Sequence, residues 1–131
     1  MSIGILIDSS LLIDHLRAKD KDNTPLAGVL FRHTEPSIST VTEYEVEVGI
    51  TVPHRELWNN IRECLAIYPF DSRMVVIACE IKHGLKARGK QIELADLFIA
   101  AAAIANQLPL ATLNRKHFEQ IDGLKLILPE P

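Results

Sequence analysis

Ile3-Gly4-Ile5-Leu6-Ile7-Asp8-Ser9-Ser10 is the stretch on which the fold turns: an apolar run that stops at a carboxylate followed by two hydroxyl residues. The Ile and Leu content of residues 3–7 predicts a buried strand, and the Asp-Ser-Ser behind it predicts a turn into a helix. In an open parallel sheet, ligands bind at such carboxyl ends. The same grammar returns at Ala66-Ile67-Tyr68-Pro69-Phe70-Asp71-Ser72 and at Leu108-Pro109-Leu110-Ala111-Thr112-Leu113-Asn114.

Working outward, residues 9–17 carry Leu12, Ile13 and Leu16 at helical spacing, and Pro25 opens a second helix through Leu26, Val29, Leu30 and Phe31. Residues 36–41 predict a short extended segment and residues 43–49 a helix. Pro53 marks a break before the helical pattern of Leu57, Trp58, Ile61, Cys64 and Leu65. Beyond a strand at 67–70, Ser72 is the expected N-cap of a helix whose apolar face is Met74, Ile77, Ala78, Ile81 and Leu85 and which ends near Gly89. Residues 94–105 are almost wholly apolar apart from Asp96, so that helix is expected to be buried on most sides. A strand at 110–113, a short helix at 115–121 and a last strand at 124–128, closed by Pro129, complete the chain. Strands alternating with helices predict an α/β fold: one domain over residues 1–131, with a mostly parallel sheet of four to five strands and helices on both faces.

With 131 residues, 47% of them hydrophobic, the chain has ample material for one core. No apolar run approaches the ~20 residues of a membrane helix, and the start lacks the basic region of a signal peptide. A cytoplasmic protein is expected. Cys64 and Cys79 are expected as buried free thiols. A formal charge of −3 argues against binding nucleic acid through overall charge, while leaving room for a local basic patch.

Four positions place a polar group among apolar residues or at a strand end: Asp8, Glu43, Asp96 and Asn114. Asp96 is the most informative, because a charge in an apolar helix costs several kcal/mol unless it is paired or binds a cation. Glu93 precedes it on the same face, and Glu47 follows Glu43 by one turn, so each helix offers a second carboxylate. Converging carboxylates repel, and a divalent cation relieves the repulsion. All-oxygen donors point to Mg²⁺ or Mn²⁺ rather than zinc. One such ion, or two about 3.5–4 Å apart, would support hydrolysis at phosphorus by an activated water. Each position also has a plainer reading: Asp8 and Asn114 as N-caps, Glu43 as a first-turn residue favoured by the helix dipole, Asp96 as the partner of a buried Arg or Lys. For Asp71 the capping reading is favoured.

Asp8-Ser9-Ser10 after the first strand, Thr42-Glu43 opening a helix with Gly49 six residues on, Asp96-Leu97-Phe98-Ile99-Ala100-Ala101, and Thr112-Leu113-Asn114-Arg115-Lys116-His117-Phe118 together resemble a PIN-domain ribonuclease of the VapC toxin type. The resemblance spans the whole chain. It implies an Mg²⁺- or Mn²⁺-dependent endoribonuclease acting on transfer or ribosomal RNA, held inactive by a small DNA-binding antitoxin of VapB type, and a homodimer. By position it makes Asp8, Glu43 and Asp96 the metal-holding acids and Asn114 a fourth catalytic polar group. His117 stands where many relatives carry an acid. Ser10, Glu47, Glu93, Thr112, Arg88, Arg115, Lys116 and His117 complete the candidate set, as residues that support the ligands or touch RNA. Lys82, His83, Lys86, Arg88 and Lys90, just before Asp96, form a basic segment suited to guiding RNA, or simply a solvated helix end. Two alternatives belong to other classes: a PIN-like module that binds without cutting, and a phospho-acceptor signalling domain using Asp71.

Overall fold

The computed structural model describes residues 4–129; Ile3, expected at the head of the first strand, lies outside the described residues. Strand β1 (Gly4–Ile7) leads into α1 (Ser9–Arg17), and a short 3₁₀ turn precedes α2 (Pro25–Arg32). Then come β2 (Glu35–Ser39), α3 (Thr40–Gly49), α4 (Val52–Glu63), β3 (Ala66–Tyr68), α5 (Ser72–Ala87) and α6 (Leu94–Ala105). Strand β4 (Leu110–Ala111), α7 (Arg115–Phe118) and β5 (Leu126–Ile127) close the chain.

All strand pairs are parallel, in the order β3-β2-β1-β4-β5. The alternation of side chains along β1 divides the interior in two. Leu6 joins Met74, Leu97, Ile99 and Phe118 beneath α5 and α6, whereas Ile5 and Ile7 join Leu11, Leu12, Leu26 and Trp58 beneath α1, α2 and α4. Strand β4 splits the same way, with Leu110 on one side and Ala111 on the other. This is why β1 reads as an unbroken apolar run: both of its faces are covered.

Several boundaries differ from the sequence expectation for identifiable reasons. Helix α3 begins at Thr40 rather than Glu43, because the Ser39 hydroxyl accepts the Thr42 N–H at 3.1 Å and caps the helix there. The break expected at Pro53 is present between α3 and α4, with Pro53 itself in the first turn of α4, where a missing N–H costs nothing. Asp71, rather than Ser72, is the N-cap of α5, accepting the N–H groups of Arg73 and Met74. Both cysteines are exposed rather than buried, Cys64 at the end of α4 and Cys79 on the outer side of α5. The expectation for α6 holds, with Leu97 and Ile99 to Ala103 all buried.

Helix α5 ends as predicted near Gly89, whose φ of +70° suits glycine. There the Lys90 N–H donates to the Leu85 carbonyl at 2.8 Å and the Gly89 N–H to that of Lys86 at 3.0 Å. This double closure is a Schellman turn, and it sets the direction of the segment entering α6.

Candidate active site

In the strand order 3-2-1-4-5, the chain leaves β1 in one direction along the sheet for β2 and β3 and later in the other for β4 and β5. The crevice between the carboxyl ends of β1 and β4 is therefore the switch point at which α/β sheets bind ligands. A phospho-acceptor domain of the flavodoxin-like kind has the order 2-1-3-4-5, so the sheet excludes that alternative. Asp71 meanwhile is occupied in capping α5, and its carboxyl is held below the usual range, first by Arg73.

Asp8 and Thr112 occupy the crevice, one step beyond the paired Ile7 and Ala111. Asp8 stands at the N-cap position of α1 but makes no side-chain capping bond. Its carboxylate, only 2% exposed, instead accepts the hydroxyls of Ser10 and Thr112, each at 2.8 Å, on the same oxygen. Those hydroxyls in turn accept the backbone N–H groups of Leu113 (3.1 Å, at Ser10) and Asn114 (2.9 Å, at Thr112). Buried charge needs such compensation. Here it also fastens the loop after β4 to the end of β1. This is why the strand expected over 110–113 stops at Ala111.

Asp96 enters from the first turn of α6, with its side chain 15% exposed and one oxygen 3.0 Å from Nδ1 of His117. The first turn suits a carboxylate, yet its proton affinity is raised. Burial is the main cause, with the Asp8 and Glu93 carboxylates adding to it and His117 opposing.

The third acid to converge is Glu45, which the sequence reading passed over. Ser9 donates its hydroxyl to Glu45 Oε1 at 2.9 Å. The Glu45 carboxyl is raised by burial first; Ser9 works against that, and the Asp8 and Asp96 carboxylates push it further up. Glu43 points elsewhere: its carboxylate lies 2.6 Å from Nε of Arg62 on α4. Glu47 belongs with it, bound by Arg55 at 2.8 Å and by the indole N–H of Trp58 at 2.8 Å. The geometry of α3 explains the split. Thr42 and Val46 form its buried stripe; positions 43 and 47 fall on one flank of that stripe and position 45 on the other. One flank meets α4, the other α1 and α6.

Asn114 is exposed at the head of α7, and its side chain makes no capping bond. Arg115 pairs with Glu119 at 2.9 Å, Lys116 is exposed beside His117, and Arg88 donates to the Gln120 carbonyl at 2.7 Å. Lys82, His83, Lys86 and Lys90 are exposed along the end of α5.

Three carboxylates from three elements, Asp8, Glu45 and Asp96, thus share one electrostatic neighbourhood with no arginine or lysine bonded to them among the described residues. Among those residues no three His, Cys, Asp or Glu side chains stand close enough to cage an ion unaided. Oxygen donors of this kind suit a hard cation.

The PIN domain family model matches residues 5–124. The chain is 36% identical over 125 residues to Ribonuclease VapC1 of Methanocaldococcus jannaschii, covering 93% of this chain and 85% of that one. It is 29% identical over 129 residues to Toxin FitB of Neisseria gonorrhoeae, covering 90% and 93%. Among solved structures, a chain of VapBC2 from Rickettsia felis, bound to a DNA fragment from its promoter, superposes with a TM-score of 0.85 over 97% of this chain and 99% of that one, at 20% identity.

Proposed function

The chain belongs to the PIN-domain family, and from that premise we propose that it is a metal-dependent endoribonuclease, the toxin of a type II toxin–antitoxin pair. The observation that carries the reading is the convergence of Asp8, Glu45 and Asp96 at the switch point, where burial raises the proton affinity of Glu45 and Asp96 and the Asp8 carboxylate raises both further. Asp8, Glu45 and Asp96 would hold Mg²⁺ or Mn²⁺, with Glu45 in the place that sequence order assigned to Glu43. When bound, one or two such ions supply an activated water and neutralise charge on the scissile phosphate.

The chain's own residues do the rest. Ser10 and Thr112 aim the Asp8 carboxylate, and Ser9 aims that of Glu45. The anchored loop presents the Asn114 side chain beside the crevice, where a carboxamide can donate to a phosphate oxygen or a water. The exposed cations at the end of α5, with Lys116, offer phosphate contacts that the net charge does not. Neither Glu43 nor Glu47 is needed for this chemistry.

The naming of VapC1 as a ribonuclease and of FitB as a toxin supports the activity and the biological role. The VapBC2 structure supports a small DNA-binding antitoxin of VapB type as partner. A homodimer, a transfer or ribosomal RNA substrate and action in the cytoplasm belong to the same reading. No helix among the described residues is long and apolar enough to cross a membrane.

The test is cleavage of RNA by the purified chain with Mn²⁺, beside Asp8→Asn and Asp96→Asn. Both variants are expected to fold and to lose cleavage, as is the unaltered chain in chelator. A second readout is thermal: saturating Mn²⁺ should raise the melting temperature of the unaltered chain, by about 2.7 kcal/mol of added stability at 100 times the dissociation constant, and should leave the variants unmoved. Undiminished cleavage by Asp96→Asn would sink the proposal.

A further inference from the structure

A cavity of about 280 Å³ opens directly beside Asp96 and His117, between the end of α5, the start of α6 and α7. Its floor is apolar, made by Leu85, Ile92 and Ile121, the first and last of them buried. Its rim is polar and exposed: Gln91, Glu93, Lys116 and Gln120. An apolar floor under a few polar groups is how small ligands are bound. The volume is just below the ~300–1,000 Å³ of pockets that take drug-sized ligands, which suits one ring system better than a whole nucleotide.

The walls are also held in place. The Schellman turn at Gly89 sets the path into Gln91, and the Arg88 guanidinium pins the Gln120 carbonyl at 2.7 Å. His117, whose Nδ1 lies 3.0 Å from an Asp96 carboxylate oxygen, offers a flat imidazole at the mouth. Proteins that read single-stranded RNA splay a base out, stack it on such a ring and bond its edge. Asp96 lines this cavity as well as the crevice, so the opening adjoins the place where a phosphate would sit.

We propose that this cavity receives the unstacked base next to the scissile phosphate and favours bases bearing an exocyclic amino group over uracil. The proposal rests on the nuclease reading above and names the specificity of that same site. Glu93 can only accept hydrogen bonds, so it matches the amino group of adenine, cytosine or guanine. Uracil offers one N–H between two carbonyl oxygens, which a carboxylate repels. The carboxamides of Gln91 and Gln120 both donate and accept, and so match the ring nitrogens and carbonyls beside the amino group.

The test is Mn²⁺-dependent cleavage of random-sequence single-stranded RNA, with the ends sequenced, for the unaltered chain, Glu93→Gln and the double variant Gln91→Ala/Gln120→Ala, all surface changes. For the unaltered chain, one position flanking the cut should disfavour uracil by roughly 10-fold, the low end of what an edge-reading pair discriminates. Glu93→Gln should shrink that bias to about 2-fold or less, since a carboxamide can donate to a uracil carbonyl. The double variant should weaken the preference among the three amino-bearing bases. A flat profile for the unaltered chain, or a bias unchanged in both variants, overturns the proposal while leaving the nuclease standing. If the unaltered chain makes no metal-dependent cuts, the nuclease reading falls and the pocket's role falls with it.

Discussion

Helix α3 carries three glutamates at alternate positions, and its two flanks treat them in opposite ways. On the α4 flank, Glu43 and Glu47 are matched by Arg62 and Arg55, and the Glu47 carboxyl is held below its usual range, first by Arg55 and then by Trp58. On the crevice flank, Glu45 is half-buried, meets a hydroxyl and two other carboxylates, and is pushed up. The first flank is satisfied by the protein itself. The second is left with negative charge that the fold does not neutralise, which is what distinguishes a cation-binding site from a structural ion pair.

The largest effect expected on the structural flank is from Trp58→Ala. The indole is fully buried, and its loss should cost about 3–5 kcal/mol of unfolding free energy in a denaturant titration. A loss below ~1 kcal/mol would show that this flank is not the anchor that the packing implies. On the crevice flank, Glu45→Gln should lower Mn²⁺-dependent cleavage roughly 100-fold or more, while Glu43→Gln stays within a few-fold of the unaltered chain. Equal losses would erase the distinction between the flanks, and the reverse order would return the site to Glu43. Ser9→Ala, which removes the hydroxyl orienting Glu45, should weaken Mn²⁺ binding about 10-fold by calorimetry.

The smallest effect is a matter of pH. Because the folded state lowers the Glu47 pKa, its charge contributes stability above the unfolded value of 4.5, and that contribution is lost as pH falls through the folded value. Glu47→Gln keeps an acceptor for the Trp58 N–H but not the charge. Its melting temperature should therefore lie a few degrees below that of the unaltered chain at neutral pH, and the gap should close in acid. A gap that is constant with pH would mean that packing, not charge, is the contribution of Glu47.

Much of this was legible in the chain. Asp8 could be placed because a strand buried on both faces is a continuous apolar run, so its end is visible. Asp96 could be placed because α6 is apolar all round and the carboxylate interrupts it. Asn114 followed from its position after a third apolar run. The choice among Glu43, Glu45 and Glu47 was not legible. All three sit on one amphipathic helix, and periodicity assigns them to flanks without saying which neighbour each flank will meet. The cysteines differ from expectation for a related reason: local pattern registers apolar surroundings, whereas burial depends on what packs outside.

The alternation of strands and helices, the two-sided burial of β1, and the strand-end and helix-start positions of Asp8 and Asp96 are written in the chain. These follow from apolar periodicity and turn chemistry, which act over a few residues. Tertiary structure alone decided the strand order that makes β1 and β4 neighbours, the hydroxyl pair that aims Asp8, the rotation of α3 that turns Glu45 inward and Glu43 outward, and the cavity beside Asp96. The reason is physical: each of these joins residues from elements far apart in the chain, and their relative placement is set by the packing of two cores against one sheet.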